Sequence, residues 1–422
     1  MNECTFLVPI FWLFSATAPM LQAQDVVPSP ATQQTQAELQ TQTELRPQQD
    51  LQPQPGPAPQ PGLAPQPGLS SQPAPQQPAA PVAQLSAADD AARYLAGLPV
   101  SQGSPLAALT QDPRWIAHSR AMNDAFGALE RRQLSNLRIF SSEIVAPATQ
   151  LSRNCIYFFS GPDFAYADAM FPGCTTYVLV GLEPVDPLPD LLAVPPASLL
   201  ATLQDIQVSL NTILNFSFFK TKDMRQDFQR AQLKGVLPII FVFMARTGKS
   251  MQQVSYVSLS SGGGLSEGGK GGTHGVRITY VDQANSVQKR MYYFSADLSD
   301  DALKRNPGIL RFCSAFAPAN ALLKAASYLP HENGFSISRN FLLRNASAIV
   351  QDDSGIPVRY FTPDRWTLRF FGSYTGTIEI FKKYYQPDLR QYYEASSPKP
   401  LTFGFGYRYS PRASTLILAV RK

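Results

Sequence analysis

A mixed α/β domain, with helices flanking a sheet, is the fold class this sequence predicts, and three features predict it. Some stretches place apolar residues at three- and four-residue steps, the spacing of one helix face. Others are short apolar runs bounded by Gly, Pro, Asp or Ser, the pattern of buried strands. The two kinds alternate from Ser86 to the end of the chain, as they do where helices cover a sheet.

The globular part is preceded by two segments of different composition. Leu7 to Ala18 is an apolar, uncharged run, too short for a bilayer span of about 20 residues but suited to a signal peptide. Leu21-Gln22-Ala23 before Gln24 supplies a cleavage site, so residues 1–23 are expected to be removed, leaving no transmembrane helix in the mature chain. Residues 24–85 are a Pro/Gln-rich spacer with a near-repeat, Ala58-Pro-Gln-Pro-Gly-Leu63 and Ala64-Pro-Gln-Pro-Gly-Leu69. Such a composition buries too little apolar surface to offset chain entropy, which predicts disorder and a tethering role. The expected localisation is periplasmic or extracellular.

The globular domain, residues 86–422, is expected to be one large unit or two interlocked subdomains. Ser86 is placed as an N-cap before a short helix, with Asp89 three residues on. Asp112-Pro113 opens a longer helix whose apolar face runs from Trp115 to Ile144. Cys155–Phe159, a short helix to Phe171 and Thr176–Leu182 then read as a β-α-β unit. A helix follows from Ser198 to about Phe219. Val236–Ala245, Val254–Leu259, Val276–Val281 and Arg290–Phe294 read as an antiparallel meander in the middle, with a flexible loop at Gly262–Gly275. Next come a short strand at Ile309–Phe312, helices at Ala319–Tyr328 and Ser336–Leu343, and a strand at Ala346–Val350. Alternating Phe403, Phe405, Tyr407 and Tyr409 and the apolar Leu416–Val420 predict a strand-rich tail. The order strand, polar turn, helix, strand, acidic turn occurs twice, which suggests a loose internal duplication.

The segments Tyr157-Phe-Phe-Ser-Gly-Pro-Asp163, Thr176-Tyr-Val-Leu-Val-Gly-Leu-Glu-Pro184, Ala325-Ala-Ser-Tyr-Leu329 and Val350-Gln-Asp-Asp-Ser-Gly-Ile-Pro357 resemble those of an uncharacterised family of exported bacterial proteins. The resemblance implies a shared fold and no particular activity.

Candidate chemistry centres on carboxylates at strand ends. Ser160, Asp163, Glu183, Asp352 and Asp353 all follow apolar strands, and in open α/β folds ligands bind at the carboxyl ends of strands. Gathered carboxylates can split into an acid and a base or hold a hard cation. Each also has a plain reading: in Ser160-Gly-Pro-Asp163, Gly161 caps a helix, Pro162 takes its first position and Asp163 lies in the first turn. Asp352-Asp-Ser-Gly355 is good turn chemistry. Arg246-Thr-Gly-Lys-Ser250 shares the end of a phosphate-binding loop, but Phe243 stands where its first glycine would be, so a hairpin connection is expected. No G-x-S-x-G or H-E-x-x-H occurs, and His118, His274 and His331 are isolated, so neither a cofactor nor a metal ligand set is evident.

Three cysteines follow the signal segment: Cys155, Cys174 and Cys313. Cys155 and Cys174, at the start of consecutive strands, are the preferred disulfide pair. The formal net charge is +5, and the acidic excess before Ser86 leaves about +9 on the globular part, which bears on partners rather than fold. An anionic cell-envelope component is the partner this charge favours; the alternation of the tail argues against nucleic acid. Whether the domain is an enzyme is left open by the sequence. A tethered binding or structural module is favoured over a carboxylate hydrolase or metal-dependent enzyme.

Overall fold

In a computed structural model, described for residues 86–216, 235–268 and 271–422, the strands form one ten-stranded mixed sheet in the order β4-β3-β5-β6-β2-β1-β7-β8-β10-β9. The signal and spacer segments expected at residues 1–85 lie outside the described residues. Five neighbours run parallel: β6 (Val287–Ser295), β2 (Thr176–Gly181), β1 (Asn154–Phe158), β7 (Ala319–Leu323) and β8 (Ala346–Gln351). Antiparallel strands extend both sides. β5 (Thr273–Asp282), β3 (Lys249–Leu259) and β4 (Leu265–Glu267) continue from β6, whereas β10 (Thr415–Arg421) and β9 (Trp366–Gly372) continue from β8.

Helices cover both faces because successive strand residues point to opposite sides. Tyr157, Leu179 and Leu322 face one core, beneath α1 (Ala87–Leu95), α2 (Pro113–Leu129), α3 (Phe164–Met170), α4 (Pro196–Phe216) and α5 (Leu237–Arg246). Phe158, Val180 and Leu323 face the other, beneath α6 (Asp300–Arg305), α7 (Gly308–Ser314) and α8 (Ser336–Asn345). The fold is thus α/β, as its alternating patterns predict. A smaller cluster packs α9 (Pro387–Ser396) against Ile417 of β10. Among the described residues no helix is long and apolar enough to cross a membrane.

Local signals explain several boundaries. The Ser86 hydroxyl caps α1 by accepting from Asp89 N at 3.1 Å, and Asp112 caps α2 by accepting from Arg114 N at 2.8 Å. After α2 the chain stays helical through two π turns, Glu130–Leu134 and Ser141–Val145, to Ala146–Ala148. The helix expected to end near Phe219 is described only to Phe216.

Six expectations are corrected. Val236–Ala245 is helix α5, buried from Leu237 to Ala245; a uniformly apolar run carries no period, and Gly248, left-handed at φ +72° beyond its end, is a helix stop. Arg246–Ser250 therefore joins a helix to a strand and is not a hairpin. Ile309–Phe312 is helix α7, and Ala319–Leu323 is strand β7, its helix-favouring Ala and Leu overridden by complete burial between β1 and β8. Phe403 to Tyr409 holds no strand beyond an isolated Phe405–Arg408 bridge. The expected Gly262–Gly275 loop contains β4 and the first residues of β5, with residues 269–270 outside the described residues.

Candidate functional site

Two β-α-β units meet at the middle of the sheet. From β1 the chain crosses through α3 to β2 on one side, and from β7 through α8 to β8 on the other. Right-handed crossovers in opposite directions put their helices on opposite faces, as observed for Phe164 and Phe341. Strand order therefore reverses between β1 and β7, and the carboxyl ends flanking that reversal are where doubly wound sheets bind ligands.

Asp163, just beyond β1, is the N-cap of α3, so the helix is capped two residues later than at the Gly161 the sequence suggests. Its Oδ1 accepts from Tyr166 N at 3.4 Å, and its Oδ2 accepts from Tyr157 OH at 3.0 Å. Across the reversal, Lys324 follows β7 and brings its Nζ within 2.7 Å of Asp163 Oδ2. Both side chains are at most 2% exposed. Lys324 Nζ also lies 3.3 Å from the centre of the Tyr166 ring. Burial pulls the Lys324 ammonium below the usual lysine range, against the opposing pull of Asp163 and Asp352.

The turn after β7 is strained. Ala325, Ser327 and Tyr328 have φ of +51°, +52° and +54°, a region costly for residues with a Cβ. The acidic turn after β8 holds it: Asp352 Oδ2 accepts from Ala325 N at 3.1 Å and the Ser354 hydroxyl from Ala326 N at 2.8 Å. Tyr407 OH accepts from Ser327 N at 3.1 Å. Asp353 accepts from Tyr328 OH at 2.6 Å, and its carbonyl takes the side chains of Gln386 at 3.0 Å and His331 at 3.2 Å. Burial, reinforced by the neighbouring Asp352, pushes the Asp353 carboxyl up to about 7. Burial likewise raises Asp352 and lowers His331 to about 4.

Three of the expected carboxylates, Asp163, Asp352 and Asp353, therefore meet around Lys324 and Tyr328. Glu183 sits one turn away, beside Gly161, accepting from Tyr293 OH at 2.9 Å. Ser160 is committed to backbone, donating to Gly161 O at 2.8 Å and approaching Val180 O at 3.3 Å. The histidines stand apart from it: His118 bonds Leu95 O and Gln207, His274 lies on β5, and His331 reaches Asp353. Among the described residues no three His, Cys, Asp or Glu are arranged to hold a metal ion.

A layer of rings roofs the edge. Tyr328 stacks on Tyr384 at 5.0 Å and on Tyr407 at 6.1 Å, and Phe381 closes on both Tyr328 and Tyr407. Beside this roof is a solvent-facing cleft of about 160 Å3, lined by His331, Arg359, Lys383, Tyr384, Gln386 and Asp388 among others. Sequence reasoning missed Lys324, Tyr328 and the cleft. The signal for Lys324 was a lone cation following an apolar run.

Cys155 and Cys174 lie side by side in the first core, while Cys313 lies in the second; all three thiols are free, so the disulfide expected between the first two is not formed here. No family model, curated protein or solved structure matches this chain. By architecture it is a three-layer α/β protein with a doubly wound parallel core and a buried charged edge.

Proposed function

We propose that the chain is an exported, tethered binding module that takes an anionic cell-envelope component at the cleft over the carboxyl edge. The observation that carries this reading is a division of roles. Asp163, Glu183, Asp352 and Asp353 are each at most 4% exposed and bonded within the fold. The cleft above them instead presents the cations of Arg359 and Lys383, with Asp388 the one anion of its lining. Lys383 is 3.0 Å from Glu332, an exposed pair that contributes little and leaves the lysine free to exchange partners.

Sedimentation of the processed protein with phosphatidylglycerol vesicles and with phosphatidylcholine vesicles tests the reading. Binding should favour the anionic vesicles, weaken as salt screens the charges, and fall in Arg359→Ala/Lys383→Ala. Equal binding to both vesicles, or binding unaffected by the double substitution, would reject it. Export is read separately: the protein recovered outside the cytoplasm should begin near Gln24, and recovery of intact Met1 there would reject cleavage.

A second reading, a carboxylate hydrolase, is favoured by the strained turn at Ala325–Tyr328 and by an Asp353 carboxyl poised near neutrality, features that gather at active sites. It requires the Tyr384 and Tyr407 roof to lift. Tyr407→Ala should then raise turnover of a chromogenic glycoside or ester, and Asp353→Asn should abolish it; no turnover by either the parent or the Tyr407→Ala protein would exclude this reading.

A further inference from the structure

At the opposite, amino-terminal edge of the parallel strands lies a polar cavity of about 500 Å3. Its rim residues Ser142, Gln150, Arg153 and Gly173 are exposed, and its floor includes Cys174 and Asn320. Asn320 on β7 is the cross-strand neighbour of Cys155 on β1, and its Nδ2 lies 3.8 Å from Cys174 Sγ. Cys155 and Cys174 are themselves within hydrogen-bonding reach of each other. Two sulfurs are thus adjacent, and the one on the cavity floor is the nearer to solvent.

We propose that Cys155 and Cys174 are a redox dithiol that exchanges with small-molecule disulfides through this cavity, Cys174 meeting the incoming disulfide and Cys155 resolving it. The Cys174 thiolate attacks one sulfur of R–S–S–R, forming Cys174–S–S–R and releasing R–S⁻. The Cys155 thiolate then attacks the Cys174 sulfur and expels the second R–S⁻. Two protein thiols are oxidised, one disulfide is reduced to two thiols, and the protons pass to the departing thiolates. The order follows from position: Cys174 lines the cavity, whereas Cys155, 0% exposed on a central strand, is shut off from an incoming disulfide and reaches only the sulfur of Cys174 beside it. Cys313 takes no part, since it is buried on the other face of the sheet. The open space beside Gly173 leaves room for the incoming group.

The test is peptide mapping, without reductant, of native processed protein, which lacks Cys4, incubated with oxidised glutathione. The parent should lose two hydrogens in mass, link Cys155 to Cys174 and leave Cys313 alkylatable after denaturation. Cys155→Ala should retain one glutathione on Cys174, whereas Cys174→Ala should retain none on Cys155. A bridge to Cys313, a stable glutathione adduct on the parent with no bridge, or a Cys155→Ala protein whose Cys174 stays free would each overturn the proposal. The parent map is decisive alone should a variant fold poorly.

Discussion

Removing the Lys324 ammonium would leave the Asp163 carboxylate, on a side chain 2% exposed, with only Tyr157 and a backbone amide as partners. Breaking one side of a buried pair costs about 3–5 kcal/mol, because the surviving charge is uncompensated. Lys324→Met is therefore expected to lower stability by about that amount in urea denaturation, and adding Asp163→Asn should cost less than the sum of the single changes. A loss under about 1 kcal/mol would mean that the pair is solvated, as surface pairs are. Asp353 makes a prediction of different sign. Its carboxyl is held up to about 7 by burial first and then by Asp352, against about 3.9 when unfolded. The folded state thus binds the extra proton between those values, so this stabilising contribution is complete below about pH 4 and is lost as pH rises through about 7. His331, held down to about 4 by burial, acts oppositely and loses its contribution as pH falls through that value. Asp353→Asn, which still accepts from Tyr328, should remove only the first limb and raise the melting temperature at pH 7 more than at pH 5. An equal shift at both would show that Asp353 is ionised throughout.

The loop from Phe403 to Tyr409 shows how an element can be pressed into place by a close approach. Gly406 adopts φ +71°, and a Cβ there would overlap Asp352 Oδ2, the atom that holds the strained turn at Ala325. Gly406→Ala should cost at least about 1–2 kcal/mol from the left-handed backbone alone, with more from displacing Asp352. Gly334→Ala, which meets open space, should stay within about 0.5 kcal/mol. Parity of the two in chemical denaturation would disprove the close approach. The same loop marks where sequence reading stops. Its alternating aromatics imitate a strand, yet Phe403 and Phe405 are buried by a folded-back loop packed on the helical segment after α2. Elements fixed by their own neighbours were legible: Ser86 and Asp112 cap helices through local hydrogen bonds, and β8 and β10 end where their apolar runs end. Elements buried on every side were not, since α5 and β7 carry no amphipathic period to tell helix from strand. The misreading of β7 also hid Lys324. Asp163, Asp352 and Asp353 were visible because a carboxylate directly after an apolar strand needs no tertiary knowledge to notice.

All described residues belong to one compact unit, and the sheet couples its two cores residue by residue. Tyr157 and Phe158, Leu179 and Val180, and Leu322 and Leu323 each send one side chain to either face, so no central strand can leave one core without abandoning the other. Two tryptophans happen to report the two sides. Trp115, 7% exposed, stacks on Tyr94 at 5.8 Å in the first core, and Trp366, 4% exposed, meets Phe361 edge-on at 5.4 Å in the second. The remaining tryptophan, Trp12, lies in the segment expected to be removed. In processed protein, Trp366→Phe therefore leaves fluorescence from the first core alone, and Trp115→Phe from the second. Within each variant the urea midpoint by fluorescence should coincide with that by far-ultraviolet circular dichroism, because a shared sheet makes unfolding all-or-none. A fluorescence midpoint at lower urea than the circular dichroism midpoint in one variant only would show that its helical layer leaves first, and would divide the molecule into two subdomains laid on a common sheet.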